Sequence, residues 1–182
     1  FKRSKVYPED YTLQKVNFNE MNMKKNHRGG SPVGYLNELG DVESSAVLYF
    51  RLWCDGPEAQ KDVYNDFSTV LGELLGKKSV NSLDKIWQLF ADHGRRPLMR
   101  HDVECKCLGA DEACFANLIG AAAEGQCEDA MIFATLLVSP DFSAWVVALA
   151  QNFGLALKKI CDYKYNSLTL TNDLKPEGST IH

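Results

Sequence analysis

The sequence contains no apolar run long enough to cross a bilayer as a helix. The longest, Ala130 to Val138, is nine residues and stops at Ser139-Pro140-Asp141, against the roughly 20 a spanning helix needs. It also lacks the short motifs that announce common chemistries. There is no Gly-x-Ser-x-Gly elbow, no His-Glu-x-x-His helix, no Gly-x-Gly-x-x-Gly turn and no EF-hand loop. The breaker cluster Asn26-His27-Arg28-Gly29-Gly30-Ser31-Pro32 is not followed by Gly-Lys-Ser/Thr, so it is no phosphate-binding loop. Histidine is scarce at 4 residues in 182, which leaves few general bases to assign. No secretory-type apolar segment opens the chain, and because the sequence starts at Phe1 rather than Met, organelle targeting stays open.

Nor is there the excess of positive charge expected of a protein that wraps nucleic acid. Net charge is −4 and the pI is close to 5.6. The charge is uneven, however. Residues 1–30 carry seven Lys/Arg and three acidic side chains, and the remainder carries 13 basic and 21 acidic ones. A basic arm on an acidic body suggests docking on an acidic surface, either its own, that of a second copy or that of a partner. A solvated terminus is the plainer alternative.

What is present is an ordinary globular balance, 45% hydrophobic and 24% charged, in a length that suits one domain with tails. Three parts are expected: a polar basic arm over 1–37, a helical domain over 38–161 and a polar tail over 162–182. Ser167 to Leu170 alternates weakly and would suit a short strand.

The body reads as all-α, with about six helices. Asp41 caps a first helix whose Val42, Ala46, Tyr49, Phe50 and Trp53 share a face. Asp55-Gly56-Pro57 separates it from a second helix that carries Val63, Phe67, Val70, Leu71, Leu74 and Leu75 and stops at Gly76. A third is expected from about Ser82 to His93, with Trp87, like Trp53, as a core anchor. A fourth is expected from Asp111 to Glu124, where Gly120 and Ala121-Ala122-Ala123 form a thin flank for close helix packing. The fifth, Cys127 to Val138, is apolar nearly all round and should be buried. The sixth starts at Pro140 and holds helical spacing to about Cys161 through Phe142, Trp145, Val146, Leu149, Phe153, Leu157 and Ile160. It is the expected central helix.

Two stretches are candidates for function. The first is His101, Cys105, Cys107 and Cys114, spaced H-x3-C-x-C-x6-C. All four side chains bind zinc, and four ligands complete a tetrahedron. Cys114 falls in the first turn of the fourth helix, where the dipole favours a thiolate. Three readings stay open: cysteines that only pack, a zinc-like structural site, and a redox pair at Cys105 and Cys107. Glu104-Cys105-Lys106-Cys107-Leu108 resembles the Cys-x-Cys metal-sensing motif of ArsR-type repressors over about five residues. The rest of the chain has no winged-helix pattern, so that family's function is not implied. Cys54, Cys127 and Cys161 read as packing residues.

The second stretch is the loop with Arg95, Arg96 and Arg100, where guanidinium forks suit a phosphate, a carboxylate or a protein partner. Pairing with the surrounding acidic helices explains them as well. Paired carboxylates such as Asp111-Glu112 and Glu128-Asp129 stand at helix starts, where capping accounts for them.

With no catalytic motif, the expected function is a non-enzymatic interaction or structural subunit of an oligomer or larger complex, its arms docking on neighbours. The alternative is a regulator with a thiolate metal site and nucleic-acid binding through the basic arm and the arginine loop. No cofactor is expected unless zinc binds. The thiols suit the cytoplasm or another reducing compartment.

Overall fold

The computed structural model describes residues 28–173. The basic arm up to residue 27 and the end of the tail from 174 lie outside the described residues. The fold is mostly helical, as the periodicity implied: α1 (Asp41–Trp53), α2 (Pro57–Leu71), α3 (Glu73–His93), α4 (Ala110–Ala123), α5 (Cys127–Leu137) and α6 (Pro140–Asp173). Strands β1 (Pro32–Tyr35) and β2 (Cys107–Gly109) pair antiparallel, with Tyr35 opposite Cys107. The described part of the N-terminal arm therefore lies against the body of its own chain, and it also touches α4.

The central role of α6 holds: it packs against each of the other five helices. Its buried face carries Val146, Ala150, Phe153, Leu157 and Ile160. Phe153 stacks on Phe67 of α2, ring centroids 5.7 Å apart. At Gly154 an added Cβ would lie 2.8 Å from Cβ of Ala123 and 2.9 Å from the Ile119 carbonyl, so glycine lets α6 and α4 meet backbone to backbone. Gly120 makes room for α1 in another way: a Cβ there would meet the carboxylate end of the Glu43 side chain rather than backbone. The small-residue flank of α4 thus serves two neighbours.

Three features differ from the sequence reading, two of them helix boundaries. The helix expected to end near Cys161 continues to Asp173, through the stretch that alternated weakly. No glycine or proline occurs between Gly154 and Pro176, so nothing in the backbone stops it. The second helix ends at Leu71, not Gly76. The break is Gly72, at φ +79, which is left-handed backbone suited to glycine. Gly76 is instead a crossing point inside α3, where a Cβ would sit 2.8 Å from Ser68 backbone atoms of α2. The new register turns Leu74 out to 89% exposure. Lastly, α5 is not buried all round. It packs mainly on α4 and α6, leaving Ile132 and Leu136 exposed, and Trp145 at the start of α6 is exposed too.

Candidate metal centre

The centre is built around a charge on the buried face of α1. Arg51 and Glu112 are both fully buried. Arg51 donates from Nε to Glu112 Oε1 and from Nη2 to Oε2, both at 2.7 Å. Its remaining hydrogens go to three backbone carbonyls of one loop: Asp102 at 3.0 Å, Cys105 at 2.6 Å and Cys107 at 2.7 Å. All five guanidinium hydrogens are thereby used. Glu112, in the first turn of α4, also accepts from the backbone N–H of His101 and of Gly109, each at 2.9 Å. Burial pushes the Glu112 carboxyl up. The Arg51 bonds and the two N–H donors outweigh it and hold the group below the usual carboxylate range.

A loop wrapped around a guanidinium must show its side chains on the other side. His101, Cys105 and Cys107 gather there, their donor atoms all within 4.8 Å of one another and each residue half-buried. The two Sγ atoms lie 2.8 Å apart, and His101 Nδ1 is 3.8 Å from Cys105 Sγ. The backbone N–H of Cys107 donates to Cys105 Sγ at 3.4 Å. The thiol–thiol hydrogen bond lowers the Cys105 pKa and raises that of Cys107. His101 Nε2 is buried without a hydrogen-bond partner among the described residues. It rests against Gly109, where a Cβ would lie 3.2 Å away.

Cys114 is not part of this cluster. It is half-buried on α4 against the main core. Burial, then the nearby Asp111, raises its thiol pKa against the opposing pull of Arg96, so the thiolate expected from the helix dipole is not favoured. The three arginines do not converge either. Arg95 donates to the carbonyls of Thr135 and Val138. Arg96 forks onto both oxygens of Asp111, which also accepts from the Met99 N–H. Arg100 donates to the Cys54 carbonyl at 3.0 Å. Of the cysteines read as packing, Cys54 fits, since burial pushes its thiol up to about 12. Cys161 touches Ser45 Oγ at 3.6 Å. Cys127, by contrast, is exposed at the start of α5.

Sequence reading missed Arg51 altogether and took Glu112 for a capping residue only. One signal was present: Arg51 interrupts an apolar run, with Phe50 before it and Leu52-Trp53 after it.

The chain matches no protein-family model, no curated protein and no solved structure in these comparisons.

Proposed function

We propose that this is a non-enzymatic helical domain that holds a thiophilic metal ion, zinc in the first instance, on His101, Cys105 and Cys107. The observation behind it is the convergence of one imidazole and two thiols on a loop whose carbonyls are clamped by a buried arginine. Two thiolates and a neutral imidazole balance a divalent charge, and soft sulfur donors select zinc or monovalent copper over calcium or magnesium. On a tetrahedral zinc two thiolates stand about 3.8 Å apart, given Zn–S bonds near 2.3 Å. The sulfurs at 2.8 Å would have to part by about 1 Å on binding, which side-chain rotation at half-exposed positions allows. The fourth position then belongs to water or to a donor outside the cluster.

The test is native mass spectrometry of reduced protein with zinc and again after a strong chelator. One zinc lost on chelation, and absent in Cys105→Ser and Cys107→Ser, supports the site. Equal zinc in those variants would sink it.

A second reading, assembly with another copy of the chain, is favoured by the exposed Ile132, Leu136 and Trp145 of α5 and α6. Sedimentation velocity decides it. A dimer that becomes a monomer in Ile132→Asp/Leu136→Asp supports it, and a concentration-independent monomer removes it.

A further inference from the structure

The geometry points to Cys105 and Cys107 as a dithiol that reduces hydrogen peroxide and closes to a disulfide, a modification that excludes metal from the same two sulfurs. The exclusion of metal rests on the metal reading above. The oxidation itself does not.

The separation of the sulfurs carries the inference. At 2.8 Å they lie between the ~2.05 Å of a disulfide bond and the ~3.8 Å of two thiolates on a tetrahedral ion. Closing to the first or opening to the second each takes a change of about 1 Å or less. Both residues are half-buried rather than sealed in the core, so a small oxidant reaches them. The remaining described cysteines are placed differently. Cys54 packs against the main core, Cys114 lies on the core side of α4, Cys161 contacts Ser45, and Cys127 is exposed at the start of α5. The backbone between the two thiols is also fixed, because Arg51 holds the carbonyls of both residues. Encounter of the two sulfurs is built in rather than left to loop diffusion.

The chemistry balances with peroxide as the one co-reactant. A thiolate sulfur attacks a peroxide oxygen, the O–O bond breaks, and the departing hydroxide takes a proton to become water. The resulting sulfenic acid is attacked by the second sulfur. An S–S bond forms, the S–O bond breaks, and a second hydroxide leaves and is protonated. Two thiols give up two electrons and two protons, and one peroxide becomes two waters. A sulfur held at contact intercepts the sulfenic acid before further oxidation to sulfinic acid.

The test starts from reduced, metal-free protein treated with one equivalent of hydrogen peroxide and then alkylated. Combined digestion with trypsin and a glutamyl endopeptidase cuts after Glu104, Lys106 and Glu112, isolating each sulfur on its own peptide. The expected product is Cys105–Lys106 joined to Cys107–Glu112, about 2 Da lighter than the sum of the two thiol peptides, with the other four cysteines alkylated. Cys105→Ser and Cys107→Ser should each abolish the joined product, and Cys114→Ser should leave it intact. Unmodified thiols, a stable sulfinic acid at either position, or crosslinks to other cysteines would overturn the inference. The same treatment of zinc-loaded protein should release zinc to a colorimetric chelator in step with crosslinking. A protein that never takes up zinc defeats the metal reading alone, because the metal-free crosslink still decides the oxidation.

Discussion

Arg51 and Glu112 form a fully buried, two-bond ion pair whose spare hydrogen-bonding capacity is spent on one loop. The arginine holds the carbonyls of Asp102, Cys105 and Cys107, and the glutamate holds the N–H groups of His101 and Gly109. The pair thus joins α1 to α4 and shapes the segment carrying the candidate ligands. Removing one partner leaves the other charge buried and uncompensated, a loss of about 3–5 kcal/mol. Arg51→Met is expected to fall in that range by urea unfolding. Adding Glu112→Leu should recover part of it by removing the stranded carboxylate. Recovery stays incomplete, because two backbone N–H groups then lose their acceptor.

Glu112 also sets an acid limit on the fold. Its carboxyl is held below the ordinary value of 4.5 in the folded chain. A group depressed on folding contributes stability that is full above its unfolded value and is lost as pH falls through the folded one. Urea midpoints should therefore be flat in this group's contribution down to about pH 5 and fall below it. In Glu112→Gln that part of the acid slope should disappear while the whole curve drops. An unchanged slope in the variant would mean other carboxylates govern acid unfolding.

The helices were legible because their apolar spacing and caps are local. The site was legible in part, for the same reason: His101, Cys105 and Cys107 lie within one short loop, and the structure gathers them. Cys114 was drawn in by counting to four ligands. Spacing says nothing about which way a side chain near the start of α4 faces, and this one faces the core. Arg51 lies 61 residues from Glu112, and no local pattern pairs them. The β1–β2 pairing was missed for a similar reason, since each strand is too short to show alternation and each exists only through the other. The α2–α3 break fell on Gly72 rather than Gly76 because both glycines suit a helix end. Only the positive φ at the first and the close crossing at the second tell them apart.

Zinc binding should stabilise the fold by linkage. At a free concentration 100 times the dissociation constant, one ion that binds only the folded chain adds about 2.7 kcal/mol. A rise in Tm on adding zinc, reversed by chelator, is the expected observation. His101→Ala, Cys105→Ser and Cys107→Ser should each weaken zinc binding by more than the roughly 10–100-fold typical of losing a supporting group. Cys114→Ser should keep wild-type affinity. Equal loss in Cys114→Ser would place that sulfur in the coordination sphere despite its position against the core.

The junction of α2 and α3 separates two ways in which glycine can be required. At Gly72 an added Cβ meets nothing within 4 Å, but φ is +79. Gly72→Ala is opposed only by backbone strain, about 1–3 kcal/mol. Gly76 has ordinary helical backbone, yet its Cβ would lie 2.8 Å from Ser68 Cα and N. There Gly76→Ala gains helix propensity and loses more to overpacking, for a net destabilisation within the usual 1–3 kcal/mol. Leu74, 89% exposed between them, should accept Leu74→Glu within about 0.5 kcal/mol. Denaturant midpoints of the three variants test the register directly. A helix running unbroken through Gly72 to a stop at Gly76 would bury Leu74 and Leu75, tolerate alanine at Gly72 and make Leu74→Glu the most damaging of the three.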